Sequence, residues 1–182
     1  MRKYLTQTPE GVEIGFNNVI EDGVIFGKNI KIGSFNVISK GSNIGDGTII
    51  GNYNDLGENL IIGKDCIIQG RVRTSKGCVL KDNVTLKIGV ILTSDVLLMK
   101  NSFMGPNSIT LGSTAYRETK HGTVIGENVY IGAGAKLAAN INIESDNIIG
   151  ANSFVNKDVR GKYAVYAGVP FKYIKHFDNE KG

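Results

Sequence analysis

Ile44-Gly-Asp-Gly-Thr-Ile-Ile50-Gly-Asn-Tyr-Asn-Asp-Leu56-Gly-Glu-Asn-Leu-Ile-Ile62-Gly63 places a large apolar residue at every sixth position and a glycine directly after each. The spacing continues upstream through Ile38, Ile32, Phe26, Ile20 and Ile14, and downstream through Ile68, Leu80, Leu86, Leu92, Leu98 and Met104, with Thr74 as the single break. A period of six does not match the 3.6-residue turn of a helix. It suits short strand pieces whose alternate residues point inward, so that Thr48 and Ile50, or Cys66 and Ile68, face the same way. Three such pieces close one triangular coil, and a run of coils is a repeat architecture.

Residues eighteen apart then stack along the axis, each coil rising by roughly 4.8 Å. Asn18, Asn36 and Asn54 fall on one corner. Two readings of them stand side by side: their amides bond to one another along the axis, or each Asn simply tolerates a left-handed turn. The 24 glycines and three prolines among 182 residues suit a solenoid of tight turns, and 41% hydrophobic residues can fill a narrow prism. The expected fold is all-β, with an N-terminal cap at residues 1–13, about seven coils within 14–160, and a C-terminal extension at 161–182. The apolar series stops at Met104 and resumes at Ile125, Ile131, Leu137, Ile143, Ile149 and Val155, after a gap of 21 residues that is not a multiple of six. The slip predicts one extruded loop within residues 105–124, and loops on rigid scaffolds commonly carry function.

Several classes are set aside. Met1 to Glu10 lacks an apolar leader and no apolar run approaches the ~20 residues of a membrane span, so the expected location is cytoplasmic, without membrane insertion. The net charge of +4 comes without a basic run interleaved with aromatics, and nucleic acid is not an expected partner. Two histidines are too few for the three-histidine zinc site of a carbonic anhydrase on such a prism, and no metal is expected. Cys66 and Cys78 point inward from different faces and read as buried thiols. Lys157, Arg160, Lys162, Lys172 and Lys175 cluster near the end of the chain. They form either a solvated surface or a seat for an anionic cofactor.

The hexad array, with Ile125-Gly-Glu-Asn-Val-Tyr-Ile-Gly-Ala-Gly-Ala135, Ile149-Gly-Ala-Asn-Ser-Phe-Val-Asn-Lys-Asp-Val159 and the closing Ala167-Gly-Val-Pro-Phe-Lys-Tyr-Ile-Lys175, resembles the hexapeptide-repeat acyltransferases over residues 11–176. The resemblance implies a left-handed parallel β-helix, a homotrimer with active sites between neighbouring subunits, and acetyl-CoA as acyl donor. It also implies that the pantetheine arm lies against backbone near Gly132, Gly150 and Ala151, and that Lys157, Lys172 and Lys175 hold the CoA phosphates. Small residues allow such an arm to approach closely, although glycine spacing alone does not separate that role from a turn.

Acyl transfer needs a base for the acceptor and donors for the developing oxyanion. Of the two histidines, His176 lies in the closing tail, leaving His121 as the candidate base. O-acetyltransferases of the family follow a Gly-Pro-Asn element with an Asp-His pair. Here Gly105, Pro106 and Asn107 are present, but Gly112 and Ser113 stand in place of that pair. Three readings follow: His121 removes the acceptor proton, the CoA sulfur accepts it as in sugar N-acyltransferases without a catalytic histidine, or catalysis is lost. Because an amine deprotonates more easily than an alcohol, the missing base points to a nucleotide-linked amino sugar as acceptor, with Asn107 and Ser113 as hydrogen-bonding groups. The alternatives are a noncatalytic scaffold and an O-acetyltransferase of another small molecule.

Overall fold

Every sixth side chain turns inward because strands of two or three residues alternate with turns whose pivotal residue is left-handed. That residue is mostly Asn, Asp or Gly, as at Asn59 (φ 56), Asp65 (φ 54) and Gly77 (φ 74), the residue types for which this conformation costs least. The computed structural model describes residues 9–113, 118 and 122–177. Each strand pairs in parallel with the one a coil further on: Ile32 faces Ile50, Ile50 faces Ile68, Ile68 faces Leu86, and Leu86 faces Met104.

The strands form three faces. The first face begins at Val12–Ile14, the second at Val19–Ile20 and the third at Ile25–Phe26. We call the turn between the first and second faces the first corner, that between the second and third faces the second corner, and the return to the first face the third corner. Ile44, Leu80, Leu98 and Ile131 are fully buried, while the outward-pointing Ile25, Ile49 and Ile61 of the same faces stay exposed. Each buried side chain contributes about 1.5–3 kcal/mol relative to exposure.

The second face holds eight parallel strands, so the prism has eight coils rather than about seven. The difference lies in the loop. Leu98 pairs with Ile125, Met104 with Ile131 and Thr110 with Leu137, a separation of 27 residues in place of 18, which makes the insertion nine residues long. Residues 105–124 therefore do not all leave the prism. Ile109–Thr110 is a strand of the second face, and Thr110 is buried where the apolar series would continue. Its hydroxyl accepts a bond from the Thr93 N–H at 2.9 Å, and Thr74 accepts one from the Gly57 N–H at 3.0 Å. Both interruptions of the apolar series are thus inward threonines satisfied by the preceding coil.

The asparagines form a ladder. Asn36 donates from Nδ2 to Asn18 Oδ1 at 3.0 Å, Asn54 donates to Asn36 Oδ1 at 2.9 Å, and the Val72 N–H closes on Asn54 Oδ1 at 2.9 Å. The left-handed residue is the one before each, at Asn17, Phe35 and Tyr53, so the ladder and not the turn accounts for this series.

Both ends depart from the expected boundaries. Val12–Ile14 is already a strand of the first face, inside the span assigned to the N-terminal cap. After residue 160, Ala164–Ala167 pairs in parallel with Ile148–Ile149, and Lys172–His176 runs back antiparallel beside it. This turned-back strand covers a sheet edge that could otherwise pair with other chains. Cys66 and Cys78 are buried free thiols, and burial pushes both up to about 11, so neither is a thiolate nucleophile at neutral pH.

Candidate active site

The sequence-derived residues divide between two corners. Asn107, Gly132, Gly150 and Ala151 lie along the first, and the nine-residue insertion with the terminal lysines lies at or below the second.

At the first corner the coil itself dictates most of the chemistry. Gly105-Pro106-Asn107-Ser108 joins Phe103–Met104 to Ile109–Thr110, with the buried Ser108 hydroxyl donating to Gly105 O at 2.8 Å. Asn107 is exposed and left-handed (φ 57), and its N–H donates to Ile88 O at 2.9 Å. Its amide oxygen fills the space where a Cβ on Gly89 would stand. The same contact recurs at Gly41 over Asn59, Gly77 over Asp95 and Gly134 over Asn152. Gly132 is buried, and an added Cβ would collide with the Ala151 N–H; at Gly150 it would come within 2.8 Å of Ala167 Cβ. These glycines answer first to coil stacking, and only Ala151 presents an exposed small side chain.

The second corner carries residues that no coil requires. Counting by register, Gly112 and Gly122 hold consecutive positions of one turn, so the insertion is residues 113–121, with Ser113 its first residue and His121 its last. Ser113 is exposed. His121 lies outside the described residues. One coil further along this corner stands Asn140, and two coils along stands Lys157.

There the chain end forms a cleft of about 890 Å³ bordered by Asn140, Lys157, Arg160, Tyr166, Lys172 and Tyr173. Arg160 lies 3.9 Å from Asp158, whereas Lys157 and Lys172 are exposed with no carboxylate partner among the described residues. The cleft is therefore net cationic. Tyr166 donates its hydroxyl to Arg160 O at 2.9 Å, which holds the loop carrying the arginine against the first face. Arg160 belongs with Lys157 and Lys172, and its place in the basic cluster is the signal for it in the sequence. Lys175 sits instead on the last strand opposite Val165, outside the cleft. Lys162 pairs with Asp146 at 3.4 Å, and His176 is held with Nδ1 3.2 Å from Tyr163 O, in the cap. Among the described residues, no three side chains are grouped to hold a metal ion.

Such coils define a β-solenoid of six-residue repeats. Residues 122–157 match the family described as bacterial transferase hexapeptide (six repeats). Serine acetyltransferase of Staphylococcus epidermidis is 43% identical over 67 residues, 37% of this chain and 31% of that enzyme, so the chain spans about a third of the length of the curated relatives it matches. The acetyltransferase domain of PglB from Neisseria gonorrhoeae, solved with acetyl coenzyme A, is 26% identical with a TM-score of 0.56 over 63% of this chain and 51% of that one. LpxA from Acinetobacter baumannii superposes with a TM-score of 0.62 at 19% identity over 92% of this chain and 69% of that one, a likeness of fold alone. The family model thus describes the repeat over residues 122–157, and the fold of the chain is the left-handed parallel β-helix of these structures.

Proposed function

We propose that the protein is an acyltransferase that moves an acetyl group from acetyl-CoA to a sugar, with an amino sugar linked to a nucleotide as the preferred acceptor. The observation that carries this reading is the second corner: the insertion falls one coil from Asn140 and two coils, about 10 Å, from Lys157, both bordering a cationic cleft that the repeat itself does not need. Lys157, Arg160 and Lys172 fit the phosphates of CoA, and charge-assisted bonds of this kind are the strong ones. The acetyl-CoA in the PglB domain supports the same donor.

In this reading His121 removes the acceptor proton as nitrogen or oxygen attacks the thioester carbonyl, and the proton then passes to the departing sulfur. Ser113, at the other end of the insertion, and the Asn107 amide supply hydrogen bonds to the acceptor or the oxyanion. Asn107, Gly132, Gly150 and Ala151 lie on the first corner, across the second face from the insertion, so a single subunit does not bring all of these groups together. A homotrimer, in which the Asn107 to Ala151 stretch of one subunit's first corner borders the second corner of its neighbour, completes the site.

Calorimetry with acetyl-CoA and sedimentation equilibrium test this directly. Binding to a trimer is expected. No binding at millimolar acetyl-CoA, or a monomer at micromolar protein, overturns the reading and leaves a noncatalytic scaffold.

A further inference from the structure

The pivotal left-handed residues of the first corner run Asn17, Phe35, Tyr53, Arg71, Gly89, Asn107, Gly134 and Asn152. At the other two corners the described left-handed residues of the coils are Asn, Asp or Gly; Tyr163, in the C-terminal cap, is the remaining exception. Phe35 (φ 61), Tyr53 (φ 60) and Arg71 (φ 54) occupy three successive coils in a conformation that costs a bulky residue about 1–2 kcal/mol. Asn or Gly would remove most of that strain.

The fold repays it only in part. Phe35 is 47% and Tyr53 58% exposed, so burial holds them only in part and each keeps a broad face in solvent. Their rings stack 5.0 Å apart and within 2° of parallel, a contact worth about 0.5–1.5 kcal/mol and less than the strain of the three positions together. Arg71 is exposed without a carboxylate partner among the described residues, unlike Arg73, which meets Asp55 at 3.1 Å. Phe16, 82% exposed, stands one position earlier in the first coil and accepts the Phe35 N–H on its carbonyl at 3.0 Å. Strain kept without a full structural return is a mark of function.

We infer that Phe16, Phe35, Tyr53 and Arg71 form a tract for an extended anionic glycan, lying along the edge that leads to Asn107. Rising by about 4.8 Å per coil, the edge puts Arg71 about 10 Å, Tyr53 about 14 Å and Phe35 about 19 Å from the Asn107 level. That is the reach of several linked sugars rather than one. Aromatic rings offer surface to the apolar C–H faces of pyranoses, and the free guanidinium takes a carboxylate or phosphate on the chain. The paired inner faces of Phe35 and Tyr53 leave no gap at 5.0 Å for a nucleotide base to enter between them. The tract goes beyond the acyltransferase reading: the glycan is a ligand separate from the nucleotide-linked acceptor, and its binding does not depend on that reading.

The test is the triple variant Phe35→Asn/Tyr53→Asn/Arg71→Asn, compared with the unaltered protein on immobilised acidic hexasaccharides (oligogalacturonate, hyaluronan) and neutral maltohexaose. The unaltered protein is expected to bind the acidic chains, more weakly as salt rises. The variant should lose at least tenfold in that affinity while melting at or above the original temperature, with acetyl-CoA binding and oligomeric mass unchanged. Equal glycan binding by the two proteins, or none by either, overturns the tract. A lower melting temperature or an altered mass also overturns it, by assigning the stack to the fold or to a subunit contact. Failure to bind acetyl-CoA counts against the transferase reading alone, because the hexasaccharide readout does not depend on it.

Discussion

The first and second corners turn the chain by the same geometry yet carry different kinds of residue. From Gly89 to Asn152 the first corner is occupied by groups the coils demand: glycines against the next backbone and Asx oxygens beneath glycines. The second corner bears a nine-residue insertion and, further along, a cationic cleft, neither of which the coil register requires. In a repeat protein the repeat supplies its own explanation for most positions. Function is then sought where the repeat is interrupted or where it tolerates residues that it does not favour.

Substitutions break this contrast in graded ways. The largest effect belongs to the core: Ile44→Asp or Ile131→Asp buries a carboxylate with no partner, costs several kcal/mol, and should leave no cooperative thermal transition. Ser145→Asp should melt like the original. Ser145 Oγ accepts the Glu127 N–H at 3.0 Å, and Asp46 already fills the equivalent role for the Lys28 N–H.

At the second corner, His121→Ala should lower kcat by roughly 100-fold with little change in KM for acetyl-CoA. Retained turnover would instead assign the proton to the CoA sulfur and the insertion to acceptor binding.

Gly132→Ala and Lys157→Ala separate the corners most directly. Forcing a methyl group onto the Ala151 backbone should cost about 1–3 kcal/mol and lower Tm by roughly 5 °C. Removing the lysine should leave Tm unchanged but raise the Kd for acetyl-CoA about tenfold, a loss of roughly 1.4 kcal/mol. The same shift in Kd without any change in Tm is expected of Arg160→Ala.

The smallest effect is acid sensitivity. The Lys28 N–H holds the Asp46 carboxyl below its ordinary 3.8, helped by the Lys64 ammonium, and the Lys64 N–H does the same for Asp82, helped by Lys100. Carboxyls whose values are lowered on folding contribute stability above the unfolded value and lose it as pH falls through the folded one. Replacing both with Asn should therefore flatten the decline of Tm below about pH 4, and leave Tm at pH 7 within a degree or so.

The coil is legible in the sequence because inward apolar residues recur every six positions and stack every eighteen outside the insertion, and that regularity is printed along the chain. The extent of the insertion is not. Thr110 holds an inward position through a hydroxyl bond to Thr93, so an apolar pattern ends one hexad before the prism is interrupted. Asn18, Asn36 and Asn54 are recognisable by spacing, but only the dihedral angles separate ladder from turn. For the site, Lys157, Arg160 and Lys172 follow from charge clustering, while the path of the chain end separates them from Lys162 and Lys175. Gly132 and Gly150 show the opposite limit: a glycine beside a ligand arm and a glycine beside the next coil look alike in one dimension.

Acetyl transfer is the central claim, and product analysis tests it most directly. Acetyl-CoA and a panel of nucleotide-linked amino sugars are incubated with the protein, and free CoA and acceptor mass are followed together. The account predicts CoA release that depends on one acceptor and is matched, mole for mole, by that acceptor's gain of a single acetyl group. Tight acetyl-CoA binding with no acceptor-dependent CoA release across amino and hydroxyl sugars would contradict it.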